Sequence, residues 1–194
     1  MAMVAASKNG KGDGKGSNAI GMNRTWYDTG NYSALCYDKE AYGFQQDITV
    51  ASGTTINSQI TLPRIVGMLC IQISGEIPDV IKRVHIEHRY EPEMNLSSGE
   101  TIELSVSKSV SKDLTITDTN TLEEYSRYMF ADDMTVYIIT YDEENNQVSR
   151  MDIPVKVYKN RRTIIKGDSK TLLNETPFEV SIEDAWGNDN IIPL

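Results

Sequence analysis

The chain has 194 residues, of which 39% are hydrophobic and 24% charged, a composition typical of an ordinary globular protein. Its formal net charge of −9 argues against nucleic acid and anionic membranes as partners, because both would repel it. No stretch approaches the roughly 20 apolar residues of a membrane-spanning helix, and the first residues lack the basic flank and apolar core of a signal peptide.

Residues 1–46 are predicted to form an irregular N-terminal extension ahead of the main domain. Residues 3–7 are apolar and strand-like, but the run 8–18 contains four glycines and three lysines and cannot pack a core. Its spacing differs from that of a P-loop, so we interpret it as a solvated loop. Aromatic residues are scattered without periodicity over 18–44, which indicates a connection with one short strand.

From residue 47 onward, short segments alternate apolar and polar side chains between turn residues. We therefore predict that residues 47–194 form one all-β sandwich domain of about seven strands. Gly67 lies where two backbone segments are expected to approach closely. The strands predicted ahead of residue 120 are 47–50, 54–62, 64–73, 82–90, 102–106 and 114–116.

Segment 122–129 is the one candidate for a helix. Thr121 is a possible N-cap, and Glu124 stands at the spacing of a capping box. The segment is barely two turns long, so a loop or a strand is an equally open alternative.

The region 134–165 has the strongest strand signals and is predicted to form the core of the sandwich. Residues 134–141 are almost wholly β-branched or aromatic and apolar on both faces, which predicts a central strand covered on both sides. The polar run 142–147 contains two asparagines able to take the positive φ of a tight turn. Strands at 148–155 and 163–165 follow, and we interpret the three strands as a β-meander.

The last predicted strand, 178–182, alternates apolar and polar residues and leads to Trp186, which is expected to close the open end of the sandwich. Because a sandwich buries the inner face of each sheet, the inward residues should share one continuous core. That predicted core comprises Ile71, Val84, Ile86, Val136, Ile138, Ile153, Val155, Ile164, Val180 and Ile182.

No residue pattern indicates catalysis, so we predict no enzymatic activity, no cofactor and no metal site. His85 and His88 are three residues apart on a predicted strand, so they point to opposite faces and cannot share a metal ion without distortion. The carboxylate runs 132–133 and 142–144 lack calcium-loop spacing and are interpreted as solvated turns. A basic cluster is interpreted as balancing local charge: Lys156, Lys159, Arg161, Arg162 and Lys166.

The two cysteines, Cys36 and Cys70, leave two interpretations open. They could form a disulfide in an oxidising compartment. Alternatively, Cys70 lies in a predicted core strand and is simply buried as a thiol.

Three segments carry a resemblance to a known family. In 151–167, an Ile-Pro-Val strand containing Pro154 leads through an Asn-Arg-Thr element into a strand that ends at Gly167. Residues 178–186 resemble the last strand of the same family with its closing tryptophan. Residues 61–66 resemble the strand that opens the family's second domain. The family is the Bacteroidetes fimbrillins, the type V pilus subunits and their accessory relatives. The resemblance singles out Arg64, Pro154, Asn160, Arg162, Thr163, Gly167 and Trp186.

This resemblance implies a transthyretin-like, Greek-key β-sandwich corresponding mainly to the family's second, C-terminal domain. Residues 4–9 and 37–44 resemble the end of a first domain and the linker that follows it. The implied function is a non-enzymatic structural or adhesive protein of the cell surface, associated with the outer membrane, that assembles by β-strand addition. The implied partners are other pilus subunits, a second copy reached by strand exchange, or a ligand on a host or bacterial surface.

An alternative function is an immunoglobulin-like or carbohydrate-binding sandwich module. Such a module would recognise a glycan through exposed aromatic side chains, which can stack on sugar rings. The candidates lie in the N-terminal extension: Trp26, Tyr27 and Tyr32.

Overall fold

The computed structural model describes residues 63–90 and 109–184 with their side chains, the side chain of Met94, and several further strands by their backbone. Within this described part, no helix has the length and apolar character needed to cross a bilayer. The elements are β1 (Ala2–Ser7), β2 (Thr25–Asp28), β3 (Asn31–Leu35), β4 (Ala41–Gln46), β5 (Ile60–Leu62), β6 (Gly67–Ser74), β7 (Arg83–Tyr90), β8 (Glu93–Asn95), β9 (Lys108–Asp113), β10 (Tyr125–Met129), β11 (Asp132–Tyr141), β12 (Gln147–Val157), β13 (Arg162–Asp168), α1 (Ser169–Leu172), β14 (Glu179–Glu183) and β15 (Asn190–Ile192).

Two four-stranded sheets make up the centre of the molecule, which confirms the predicted all-β class. The first sheet has the strand order β10-β6-β13-β14, and the second has the order β12-β11-β7-β9. Neighbouring strands are antiparallel except β6 and β13, which run parallel. Both sheets contribute side chains to one hydrophobic core, so the core lies between them.

Alternating side chains give each strand of the second sheet an inner and an outer face. In β12 every second residue from Ser149 to Val157 is buried, and the residues between them are exposed. In β7 alternation predicts Val84, Ile86, His88 and Tyr90 on the inner face; the first three are buried, and Tyr90 is half-buried. Fully burying a Val or Ile side chain contributes roughly 1.5–3 kcal/mol to stability. A one-residue slip of either strand would move all of its inner side chains to the outer face, so several of these contributions would be lost.

The predicted central strand is β11, which pairs with β12 on one side and β7 on the other. Its inner residue Ile138 is completely buried. On the outer face, the guanidinium of Arg83 lies 3.8 Å from the ring centroid of Tyr141. That of Arg150 lies 4.6 Å from the ring centroid of Tyr137. The outer face of β11 is therefore covered partly by cation–π contacts.

The predicted three-strand meander is wrong at its last step. β11 and β12 form the expected hairpin, but β13 lies in the first sheet between β6 and β14. Residues 158–161 make the crossing, with Asn160 at a φ of 56° and the Arg161 N–H donating to the Tyr158 carbonyl at 3.2 Å. Gly67 leaves room for this turn, because a Cβ there would collide with the Tyr158 carbonyl oxygen.

Residues 122–129 do not form the helix that their capping pattern allowed, because Tyr125–Met129 is strand β10. Tyr125 and Met129 are buried and lie opposite Ile71 and Gly67 of β6. A spacing of four residues fits one face of a helix and one face of a strand alike. Pairing with β6 therefore decides the conformation, which the local sequence leaves open.

Two smaller elements also differ from the prediction. Segment 114–116 contributes only an isolated bridge between Ile116 and Leu122. Helix α1 was not predicted, and it begins at the N-cap Asp168, whose carboxylate accepts hydrogen bonds from the backbone N–H groups of Lys170 and Thr171. These bonds lower the pKa of Asp168, and the backbone hydrogen bond from Thr171 makes the largest contribution.

The N-terminal residues contain more strand than the predicted irregular extension. β1, which includes the apolar residues 3–7, pairs with β4, and β2 pairs with β3. β3 also pairs with β8, which follows the predicted boundary at residue 46. The division into 1–46 and 47–194 stays a prediction, and the strands expected at 47–50 and 102–106 lie outside the described residues.

The burial of Ile138 predicts a large loss of stability in Ile138→Ala. Removing its buried atoms should lower the free energy of unfolding by roughly 2–5 kcal/mol, measured by denaturant melts. Ile182→Ala is the matched control, because Ile182 is 44% exposed on a strand and should cost about 1 kcal/mol or less. A loss below about 1 kcal/mol for Ile138→Ala would contradict the central position of β11.

Candidate functional site

The two sheets have four edge strands, and three of them carry features that prevent pairing with another chain. Arg127 of β10 lies opposite Leu69 and Lys112 of β9 lies opposite Ile86, so both edges have a charge on the inner face. β12 has the exposed Pro154, which cannot donate a ladder hydrogen bond. Inward charges and edge prolines are common protection against strand addition.

The fourth edge, β14, lacks both features. Val180 lies opposite Ile165, and Ile182 lies opposite Thr163, so both side chains are on the inner face of the first sheet. They are nevertheless 42% and 44% exposed. Their predicted burial is therefore wrong. We call residues 179–183, with these two apolar side chains, the β14 edge.

The exposure follows from how the two sheets overlap. The Tyr125 hydroxyl of β10 lies 3.0 Å from His88 Nε2 of β7, so β10 lies over β7. Thr163 of β13 donates to the Lys156 carbonyl of β12 at 2.8 Å, so β13 lies over β12. Because β12 is the last strand of the second sheet, β14 extends past it, and no described strand faces Val180 and Ile182.

Two of the residues singled out by the fimbrillin resemblance meet at the β12-to-β13 crossing. Arg64 is buried, and its Nη1 donates to Asn160 Oδ1 at 2.8 Å. The Asn160 N–H donates to the Val66 carbonyl at 2.9 Å, and the Met68 N–H donates to the Arg161 carbonyl at 3.0 Å. A buried guanidinium is stable only when its donors are paired, so these contacts hold the turn against the start of β6.

Of the other resemblance residues, Pro154 lies on β12, and Arg162, Thr163 and Gly167 lie on β13. Thr163 is fully buried, and a Cβ on Gly167 would collide with the ring of Phe178. Arg162 pairs with Glu183 across β13 and β14 at 3.2 Å. Pro154 is exposed on edge strand β12, and Trp186 lies outside the described residues.

The basic cluster pairs largely with carboxylates. Lys156 lies 2.8 Å from Asp133, and Arg161 lies 3.2 Å from Asp184. With the pair between Arg162 and Glu183, three of its five members have an acidic partner. These contacts favour the predicted role in local charge balance over a ligand site.

The two histidines lie on opposite faces of β7, as predicted. On the outer face, His85 Nδ1 lies 2.6 Å from Asp113 Oδ1, and Nε2 lies 3.1 Å from Ser111 Oγ. The hydrogen bond from His85 lowers the pKa of Asp113, and a bond from Arg83 at 3.2 Å lowers it further. His88 is buried and contacts Tyr125 in the core instead.

Cys70 is buried and forms no disulfide in the described part of the chain. Its partner in the alternative interpretation, Cys36, lies outside the described residues. Burial raises the pKa of the Cys70 thiol, and the neighbouring Arg162 opposes that shift. A buried thiol with a raised pKa is a poor nucleophile, so it does not suggest catalysis.

The glycan candidates of the alternative function lie on two paired strands. Trp26 and Tyr27 are on β2, and Tyr32 lies opposite Tyr27 on β3. Their side chains lie outside the described residues. Three described tyrosines of the second sheet, Tyr90, Tyr137 and Tyr141, have arginines over their rings and are not open stacking platforms.

Comparison with known proteins does not establish a family. No protein-family model matches this chain, and no curated protein matches it. A solved structure from Bacteroides ovatus aligns with a TM-score of 0.44 at 12% identity, covering 92% of this chain and 75% of that chain. A second, from Bacteroides uniformis, aligns with a TM-score of 0.41 at 12% identity, covering 87% and 79%.

Both of those proteins are named as candidate cell adhesion proteins. At such TM-scores the likeness carries no argument about this chain. The resemblance to fimbrillins therefore stays a prediction, and the function proposed below rests on the geometry of the β14 edge.

The lowered pKa of Asp113 predicts a pH-dependent contribution to stability. The contribution is present above the unfolded-state pKa of about 3.9 and is lost as the pH falls through the folded-state value. In Asp113→Asn, the free energy of unfolding should fall at pH 7 by less than about 1 kcal/mol, because the carboxylate is half exposed.

The difference between wild type and Asp113→Asn should narrow as the pH falls from about 5 toward 2. Denaturant melts at a series of pH values measure it. Asp79→Asn, in an exposed turn, is the control for losing one negative charge. A difference that widens with acid would contradict the role assigned to the bond between His85 and Asp113.

Proposed function

We propose that this protein is a non-enzymatic structural or adhesive protein of the cell surface, of the fimbrillin type, that assembles by accepting an extended strand at the β14 edge. The observation that supports this most directly is the exposure of Val180 and Ile182 on the inner face of an edge strand. A strand added there would extend the first sheet and cover both side chains.

Two residues of the fimbrillin resemblance, Arg64 and Asn160, support the same proposal, because their contact lies at the crossing that leads to this edge. The contact between Arg64 and Asn160 holds the crossing that brings β13 into the first sheet. β14 then pairs with β13 and becomes the outermost strand. We propose further that the fold is a transthyretin-like, Greek-key sandwich and that the protein is located at the outer membrane.

The energetics indicate a weak individual contact. About five ladder hydrogen bonds at roughly 1 kcal/mol each and about 1 kcal/mol for covering each of the two side chains sum to roughly 7 kcal/mol. Association costs at least about 4 kcal/mol of lost freedom. An isolated strand should therefore bind near the millimolar range, and stable assembly needs further contacts between the partners.

Strand addition requires only backbone hydrogen bonds and apolar contacts. It therefore accounts for a chain whose sequence has no catalytic pattern. Neither a cofactor nor an activated nucleophile enters the proposed function.

The test is a titration of the isotopically labelled full chain with an extended peptide that alternates valine and threonine, followed by NMR. Shifts are expected at residues 179–183 and on neighbouring β13. Ile182→Lys places a charge on the inner face of the edge and should abolish these shifts while leaving the melting temperature unchanged.

The matched control is Val80→Lys, which makes the same kind of change at an exposed apolar residue outside the sheets, 51% exposed. It should bind the peptide like the wild type. Peptide binding that survives Ile182→Lys, or the absence of shifts at β14 at millimolar peptide, would rule out strand addition at this edge.

A further inference from the structure

The outer face of the β14 edge carries a regular charge pattern. Glu183 lies opposite Arg162 of β13, and their side chains approach to 3.2 Å. Glu179 lies opposite Lys166 of the same strand. Between these two rows, Ser181 lies opposite Ile164. In each of these two rows, the edge strand β14 carries a glutamate and the neighbouring strand β13 carries a basic residue.

β13 shows which sequence satisfies β14 from one side. Its residues 162–166 read basic, Thr, Ile, Ile, basic, and they pair with Glu, Ile, Ser, Val, Glu of β14 in antiparallel order. Opposite charges directly across two strands contribute roughly 0.2–1 kcal/mol per pair, and like charges cost a similar amount. The open side of β14 presents the same five side chains to a new strand.

A second copy of β14 would be a poor occupant of this edge. The sequence Glu-Val-Ser-Ile-Glu is nearly symmetric about Ser181, so antiparallel self-pairing would place Glu179 opposite Glu183 of the second copy, twice. The apolar residues would match, but both ends would repel. The two glutamates therefore act against self-association of an exposed apolar edge.

We propose that the strand accepted at the β14 edge belongs to a different protein and has the pattern basic, apolar, any residue, apolar, basic. Its basic residues lie opposite Glu179 and Glu183, and its apolar residues lie opposite Val180 and Ile182. In this chain only 162–166 approaches the pattern, and that segment is already β13. The inference rests on the proposed function and adds the chemistry of the partner.

The test compares three capped peptides in NMR titrations of the full chain. Their cores are Lys-Val-Thr-Val-Lys, Gln-Val-Thr-Val-Gln and Glu-Val-Thr-Val-Glu. The basic peptide should bind about 2- to 30-fold more tightly than the neutral one, the range for two cross-strand ion pairs, and the acidic peptide more weakly than the neutral one. The advantage of the basic peptide should shrink as salt is added.

A fourth peptide, Val-Lys-Thr-Lys-Val, controls for the general attraction of a cation to a protein of net charge −9. It has the same charge with the alternation out of phase, so it should bind at least about tenfold more weakly than Lys-Val-Thr-Val-Lys. Equal binding of the two basic peptides would overturn the proposed pattern.

A second experiment reverses the charges of the β14 edge itself. The double variant Glu179→Lys with Glu183→Lys should prefer the acidic peptide. Because Glu183 also contacts Arg162, its melting temperature is checked, and Glu179→Gln with Glu183→Gln serves as a milder variant that should lose the preference without reversing it.

The outcomes separate the two proposals. If all three peptides shift β14 equally in the wild type, the charge pattern is overturned while strand addition stands. If no peptide shifts β14, or if binding is insensitive to Ile182→Lys, the proposed function itself fails. If the wild type prefers the basic peptide and the Gln variant does not, the inference is supported.

Discussion

The hydrogen bond between Arg64 and Asn160 holds the turn at which the chain passes from one sheet to the other. This bond joins the turn to a buried guanidinium, whose donors have to be paired inside the protein. Asn160 adopts a positive φ and donates its own N–H to the strand leading into β6. The turn is thereby fixed beside Gly67, where no side chain larger than hydrogen fits.

Beyond the turn, the chain continues in the first sheet. β13 runs parallel to β6 in the first sheet, and β14 returns beside it as the outermost strand. The contact between Thr163 and Lys156 places β13 over the last strand of the opposite sheet. An inner face that extends past its opposite sheet must expose its side chains, which explains why Val180 and Ile182 are exposed on a core-facing side.

The sequence was sufficient where the structure is decided by local alternation. The inner and outer faces of β7, β11 and β12, the positive φ in the Asn145 turn and the close approach at Gly67 all follow from residue types and their spacing. The sequence was insufficient where burial depends on the order of the strands in the sheets. Alternation assigns Val180 to the inner face correctly, but it cannot say whether a strand of the other sheet lies opposite.

Segment 122–129 illustrates the same limit. Its apolar residues suit either period, and only pairing with β6, more than 50 residues earlier, selects the strand. The candidate site was missed for a related reason. A visible signal was present in the symmetric arrangement of Glu179 and Glu183 around two apolar residues, but its meaning depends on β14 being an edge.

The edges together indicate how such a fold can keep one edge open without aggregating. An inward charge or a proline closes an edge to every strand, as in β9, β10 and β12. Outward glutamates act differently, because they leave the apolar inner face available and penalise only strands with acidic ends. The penalty falls on the most abundant competitor, another copy of the same edge. Selection by charge at the ends and by apolar contact at the centre would make β14 an edge for one class of partner.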